Sequence, residues 1–268
     1  MANVKIYPQK EMMNIKESFL KKAARLLIRL KISQLFRIKQ KDFSLRFYPS
    51  SMSRVLWVDQ FLSGASYLEG EQFFRRYLLQ GDVVVDVGAN IGFFTLLSSV
   101  LAGKDGRVYS IEPHPRIYEY LQGNLTLNKA ENVCSFNVAM GNKNGIVRFS
   151  DRKSDDANSV AIEDYGIKVP LRKLDELGIE DASISLLKID VEGYEKFVIE
   201  GGEHTLRKVQ CVYFESIERN CLTYGYGIAD LLQLLINQGF KILAIEGNRV
   251  RSIVPELCPE SWKNLVAV

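Results

Sequence analysis

Residues 82–95 constrain this chain more than any other stretch, because they read as a buried strand that runs straight into a glycine-bracketed turn and a helix. Val83, Val84, Val85 and Val87 form a β-branched run interrupted only by Asp86, as in a parallel strand covered on both faces. Gly88 and Gly92 permit a tight turn and close approach of a ligand to the backbone, and residues 91–101 are apolar enough to pack as a helix. This is how an α/β chain grips a nucleotide cofactor. The dinucleotide fingerprint needs glycine at its first, third and sixth positions, and here those positions hold Gly88, Asn90 and Phe93. A nicotinamide dehydrogenase is therefore disfavoured.

Glu112 is the second anchor. Residues 107–111 read as a short strand that ends at this acid, and Pro113 breaks the strand before a helical stretch over 115–129. An acid at the end of the second strand is placed to accept hydrogen bonds from both hydroxyls of a ribose. Nicotinamide enzymes use an acid in the same way, so Glu112 points to a nucleoside without naming the cofactor.

With Asp86 two residues ahead of Gly88, the order Asp86, Gly88, Asn90, Gly92 looks like the first motif of S-adenosylmethionine-dependent methyltransferases. Further blocks follow in order: Glu112 to Pro115, Asn124 to Asn128, Asn137 to Gly141, and Leu187 to Glu195. Together they resemble the FkbM family of methyltransferases over residues 67–213. The resemblance implies S-adenosylmethionine as cofactor, with Asp86, Gly88, Asn90 and Gly92 lining its methionine end. It implies that Glu112 meets the ribose and that the turn carrying Asn137, Ala139 and Met140 meets the adenine. It also implies that Asp190 and Glu192 border the site of methyl transfer. Residues 1–60 match no block of the family.

The periodicity alternates as a Rossmann-like class I methyltransferase sheet requires, mostly parallel with helices on both faces. Strands are expected at 83–87, 107–111, 133–139, 185–191, 210–215, 240–245 and 264–268, with an additional short one at 145–150. Helices are expected at 91–101, 115–129, 195–206 and 228–238, and one helical turn within 171–177. The last two strands lack a helix between them, which predicts a hairpin and an antiparallel C-terminal edge strand. The natural partition is an N-terminal basic helical extension, 1–66, and a catalytic domain, 67–268.

The chemistry is expected around residues 187–193. Strand alternation puts Lys188, Asp190 and Glu192 on one side, and a lysine in an apolar strand is costly to bury unless paired. Methyl transfer from a sulfonium is an in-line displacement in which positioning does most of the work, so a metal is not obligatory. A hydroxyl acceptor must lose its proton near the transition state, and Asp190, Glu192 or a Lys188 of lowered pKa are the candidate acceptors. Glu215, at the end of the next strand, points to the same edge. The polar, breaker-rich segment 151–159 is expected to be an exposed loop, with Asn158 and Ser159 as candidates for acceptor binding. The resemblance implies O-methylation of a small or secondary metabolite, with acceptors ranging over sugars, polyketides, lipids and peptides. The alternative is a carboxyl methyltransferase acting on a peptide or small acid.

Composition fits a single enzyme-sized unit, with 47% hydrophobic and 25% charged residues. No run approaches a membrane span and the start lacks a secretory apolar core, so a cytoplasmic location with reduced thiols is expected for Cys134, Cys211, Cys221 and Cys258. Only His114 and His204 are available, which disfavours a histidine metal site. Residues 11–41 carry nine Lys or Arg against two Glu, a balance of +7 within a chain of net +3. Ile15, Phe19, Ala23, Leu26, Leu27 and Leu30 recur at three- and four-residue steps, so the segment reads as an amphipathic helix with a cationic face. It is expected to pack on the catalytic domain, with an anionic membrane surface or a partner as the alternatives. The lack of interleaved surface aromatics argues against nucleic acid. A non-catalytic protein that binds a membrane or partner through this segment would require the cofactor site to be silent.

Overall fold

The computed structural model describes residues 9–62, 70–152, 158–162, 164–246, 249–252 and 264–268. The N-terminal part supplies helix α1 (Gln9–Arg29), an antiparallel hairpin of β1 (Arg37–Lys39) and β2 (Ser44–Arg46), and helices α2 (Ser51–Leu62) and α3 (Gly70–Tyr77). Next come β3 (Val83–Val87), α4 (Phe93–Ala102), β4 (Arg107–Ile111), α5 (Pro115–Asn128), β5 (Val133–Phe136), β6 (Ala139–Met140), β7 (Gly145–Phe149) and β8 (Ile167–Arg172). The remainder runs β9 (Leu186–Ile189), α6 (Glu195–Glu200), α7 (Glu203–Leu206), β10 (Val212–Glu215), α8 (Glu218–Thr223), α9 (Ile228–Asn237), β11 (Ile242–Glu246), β12 (Arg249–Ser252) and β13 (Asn264–Ala267).

The main sheet has the order β12-β11-β13-β10-β9-β3-β4-β5. Its neighbours from β10 to β5 are parallel, and β13 is antiparallel to both β10 and β11. This is the Rossmann-like methyltransferase arrangement. The chain winds outward from β3 through β4 and β5 and then returns to β9 on the other side of β3. The carboxyl ends of β3 and β9 thus flank a topological switch point, the usual crevice for a ligand in such sheets.

Several expectations need correction. The antiparallel strand is not at the edge: β13 lies between β10 and β11, and β12 takes the edge. Leu265, Val266 and Ala267 are all buried, so this strand needs sheet neighbours and cover on both sides, whereas the sequence of β12 alternates arginine with valine and serine. The strand expected over 133–139 breaks after Phe136, and β6 pairs instead with β8 in a separate three-stranded sheet, β6-β8-β7. The helix expected over 195–206 divides into α6 and α7 at Gly201 and Gly202. A Cβ on Gly201 would lie 2.0 Å from the Gly141 carbonyl oxygen, so the backbones meet there. Strands β1, β2, β8 and β12 and helices α2, α3 and α8 have no counterpart in the expected set, and the hairpin of β1 and β2 shows that the segment expected as a helical extension is not all helix.

Alternate residues of each strand feed two cores. Val85, Val87, Ile189 and Phe214 pack with α6, α7 and α9, while Val84, Leu186, Tyr213 and Val266 pack with α3, α4, α5 and the N-terminal elements. Ile38, Phe43, Leu45, Phe47 and Leu56 lie in that second core beside Leu97, Ile117 and Leu121. The hairpin is further fixed by α5: Asn124 accepts from the Arg46 amide and donates to the Ile91 carbonyl, and Asn128 both accepts from and donates to the Ser44 backbone. These asparagines, noted in sequence only as a family block, join three parts of the chain.

The second core contains one ion pair. Asp86 and Lys188 are register partners on β3 and β9, and Lys188 Nζ lies 3.1 Å from Asp86 Oδ1 with both side chains almost wholly buried. Thr95 Oγ1 donates to Asp86 Oδ2 at 2.6 Å and contacts Ser110 Oγ at 2.8 Å. A buried carboxylate left without its cation is strongly unfavourable. Lys188→Met is therefore expected to lower the unfolding free energy by about 3–5 kcal/mol, and the double change Asp86→Asn with Lys188→Met to recover most of it. Chemical denaturation of the two variants checks this; equal losses would show that packing, not charge, dominates at the pair.

Candidate active site

The turn after β3 is held by the end of β4. The amides of Gly88 and Ala89 donate to the Ile111 carbonyl, and the Asn90 amide donates to Glu112 Oε2 at 2.9 Å. Gly88 has φ +81°, and a Cβ there would meet the Asp190 carbonyl oxygen at 1.8 Å. Only glycine lets the turn pass beneath the end of β9. Asn90 also sits at positive φ, with its own side-chain oxygen accepting from the Ile91 amide.

Glu112 is buried, and its other oxygen accepts from the His114 amide at 2.9 Å. Burial raises its carboxyl, the two amides and Lys188 lower it, Asp86 raises it, and the net is a pKa of about 7. Two backbone donors leave carboxylate lone pairs free for a ligand's hydroxyls. Asn137 Nδ2 donates to the carbonyls of Glu112 and Pro113 and so ties the β5–β6 junction to this corner.

A cavity of about 280 Å³ opens over these residues. Gly88, Asn90 and Glu112 line one part, Val138, Ala139, Met140 and Phe149 another, and Asp190, Glu192, Tyr194, Glu215, Asn158 and Val160 the rest. A second cavity of about 150 Å³ shares Gly88, Asn90, Asp190, Glu215 and Met52 with the first and adds Lys188, Phe94, Tyr213 and Asn264. The donor set suits S-adenosylmethionine: an acid for hydroxyls, apolar side chains for a flat base, and carboxylates for an ammonium and a sulfonium.

Not every expected residue reaches the cavity. Asp86 is wholly buried beneath the turn and is engaged by Thr95 and Lys188, so it acts on the turn from below and does not line the space. Gly92 faces α5, where a Cβ would meet Leu121. Asn137 supports the wall through main-chain bonds. Ser159 is not on the cavity surface; its backbone pairs with Ser150. Asn158 does line the cavity, with its side-chain oxygen accepting from Ser150 Oγ and the Arg152 amide.

Lys188 also differs from expectation. Burial pulls its pKa down, but Asp86 and Asp190 outweigh this, and the net direction is up. Its ammonium donates to the Gly88 carbonyl at 3.2 Å and lies 3.5 Å from Asp190 Oδ2. A charged lysine held by three oxygens cannot serve as a base; it ties the glycine turn to Asp190.

The strand alternation expected through Glu192 stops at Ile189. Glu192 has φ +57°, and the turn that follows is closed by Glu195, whose Oε1 accepts from the amides of Val191 and Gly193. Glu195 is buried, and its pKa is raised to about 7, chiefly by desolvation. The result brings carboxylate oxygens of Asp190, Glu192 and Glu215 within 4.8 Å of one another. Asn220 Nδ2 donates to Glu192 at 2.9 Å and reaches Glu215 at 3.5 Å. Among the described residues these three acids are the group able to hold a metal, and an all-carboxylate set suits a hard, oxygen-loving cation. Burial and then the charges of Asp190, Glu192 and Glu195 push Glu215 up to about 9.

Sequence reading missed Met52, Phe149, Val160, Tyr194 and Tyr213 as cavity residues. Tyr194 sits inside the block that ends at Glu195, whereas the others lie outside every motif and come from other elements, Met52 from the first turn of α2.

Residues 86–242, more than half of the chain, match the Methyltransferase FkbM domain. The 2-O-methyltransferase NoeI of Sinorhizobium fredii is 28% identical over 57% of this chain and 70% of its own length. The hexuronic acid methyltransferase AglP of Haloferax volcanii is 29% identical over 55% of this chain and 63% of its own. The tRNA (guanine(37)-N(1))-methyltransferase of Saccharomyces cerevisiae is 35% identical over a shorter stretch, 38% of this chain and 19% of that protein. The ordered motifs, the sheet order and the family match agree, and the chain belongs to the FkbM family of S-adenosylmethionine-dependent methyltransferases.

Proposed function

We propose that this protein is an O-methyltransferase that methylates a hydroxyl of a small acceptor, with sugars first among the candidates. The observation that carries this reading is the convergence of Asp190, Glu192 and Glu215 at the cavity that Glu112 and the glycine turn also line. The names of two relatives, a 2-O-methyltransferase and a hexuronic acid methyltransferase, support it.

Bound S-adenosylmethionine supplies an electrophilic methyl group on a positively charged sulfur. Glu112 would accept hydrogen bonds from the ribose hydroxyls; Gly88 and Asn90 would hold the methionine end, and Ala139 and Met140 the base. Asp190, linked to the turn through Lys188, is positioned to accept the proton that the acceptor hydroxyl loses, with Glu192 as its neighbour. Glu215 keeps its own proton at neutral pH and donates a hydrogen bond to an acceptor oxygen. A carboxylate acceptor would meet the Asp190 and Glu192 carboxylates, which opposes the carboxyl-methyltransferase reading.

Titration calorimetry with S-adenosylmethionine, S-adenosylhomocysteine and NAD, followed by product analysis on hydroxyl and carboxyl acceptors, tests the proposal. Binding of the two sulfur ligands without NAD is expected, and so are methyl products that resist alkaline hydrolysis, as ethers do and esters do not. Glu112→Gln is expected to weaken cofactor binding about 10-fold to 100-fold, the weight of one or two bonds to a charged group. Asp190→Asn is expected to leave cofactor affinity within a few-fold and to lower kcat about 100-fold or more. Alkali-labile products would replace the hydroxyl acceptor with a carboxylate.

The raised acids also set a pH dependence. Glu215 binds its proton more tightly in the folded protein than its ordinary value of 4.5, so between 4.5 and about 9 the folded state holds more protons than the unfolded state. Stability contributed by this group is therefore lost as pH rises through that window, and Glu112 and Glu195 add the same sign up to about 7. Thermal unfolding of the ligand-free protein is expected to shift to lower temperature from pH 6 to pH 9. Glu215→Gln should flatten the upper part of that curve; an unchanged slope between pH 7 and 9 would remove Glu215 as its source.

A further inference from the structure

Helix α1 differs from the single-faced helix that the three- and four-residue spacing predicts. Its packed face is Leu20, Ala24, Leu27 and Ile28, with Ala24 fully buried; the side chain of Ile15 lies outside the described residues. Phe19, Leu26 and Leu30, expected to pack, are 69%, 53% and 56% exposed. At 100° per residue these three fall within about 40° of one another and form a separate stripe. After the helix, Ile32 and Leu35 are exposed as well, the latter at 82%.

On the side of the stripe away from the packed face stand Lys22, Arg29 and Arg25, all exposed, with Lys31 just after the helix. Among the described residues none of these four is in an ion pair; Lys21 pairs with Glu17, and Lys16 donates to the Phe61 carbonyl. Large apolar side chains in a row beside unneutralised cations match two layers of one partner, acyl chains and anionic headgroups. Long basic side chains on the flank can reach headgroups while the stripe enters the acyl boundary. No helix of the described residues is long and apolar enough to cross a membrane, so the contact would be peripheral.

We propose that α1 and the turn after it form a docking surface for an anionic lipid bilayer, with Phe19, Leu26, Leu30 and Leu35 inserting and Lys22, Arg25 and Arg29 pairing with lipid phosphates. The surface also adjoins the site. Helix α2 packs against α1, carries Phe61 in its last turn, and carries Met52 in its first turn at the mouth of both cavities.

Co-sedimentation of the full chain with phosphatidylcholine vesicles, with and without phosphatidylglycerol, tests this. Binding is expected only with phosphatidylglycerol and should weaken with added salt. The triple change Phe19→Ser, Leu26→Ser, Leu30→Ser should abolish sedimentation, and Lys22→Gln, Arg25→Gln, Arg29→Gln should weaken it on the order of 100-fold. Both variants should retain the wild-type circular dichroism and bind S-adenosylhomocysteine as before. Wild-type protein that stays in the supernatant, or binds neutral vesicles equally, overturns the proposal. So does light scattering that finds a wild-type dimer and a monomeric serine variant, because the stripe would then belong to a second copy of the chain.

Discussion

The pairing of Asp86 with Lys188 is the interaction on which the site depends. Two adjacent parallel strands, β3 and β9, each contribute one ionisable side chain at the same register, facing a core of aromatic and aliphatic residues. Neither charge is tolerable there alone, and together they hold each other at 3.1 Å. The lysine then extends the link upward: it bonds the Gly88 carbonyl and reaches Asp190. One buried cation thereby couples the glycine turn to Asp190 on the cavity wall. Removing the pair for an apolar substitute would cost little in packing, but it would free the turn from the end of β9.

Acids outnumber cations around the cavity. Among the described residues Glu112, Asp190, Glu192, Glu195 and Glu215 surround a single lysine, Lys188, and burial together with nearby negative charge raises three of them. The fold tolerates this by giving each acid a separate environment. Backbone amides hold Glu112 and Glu195, Lys188 meets Asp190, Asn220 bridges Glu192 and Glu215, and Glu215 keeps its proton. Such a site is suited to a cationic ligand, because a positive charge among these carboxylates offsets their mutual repulsion. The two cationic groups of the cofactor have that property, and so has a divalent metal.

The N-terminal segment is part of the same body as the sheet. Its hairpin is pinned by Asn124 and Asn128, its apolar residues complete the core on the Asp86 side of the sheet, and Met52 reaches the cavity. Two apolar faces on α1 follow from this arrangement: the helix spends one on α2 and keeps the other at the surface. A hydrophobic pattern in sequence records that residues are apolar. It does not record which neighbour covers them, and so Phe19 and Leu27 look alike until the fold is known.

Local chemistry was legible wherever a residue's role depends on its immediate neighbours. The valine run of β3, the helix start at Pro115, the left-handed turn at Gly88 and the acid closing β4 follow from side-chain period, proline geometry and φ, each set within a few residues. The sequence by itself determined the α/β class, the glycine turn after β3, and the placing of Glu112, Asp190 and Glu192 at the strand ends that border the cavity. Tertiary structure alone decided that β13 lies inside the sheet, that Asp86 and Gly92 face away from the cavity, and that Lys188 stays charged. It also decided how closely Glu215, expected from sequence only at the same edge, approaches the other two acids. Each of these depends on residues far apart in the chain meeting across the sheet, where burial and the sum of nearby charges are set by packing, and no local period carries that information.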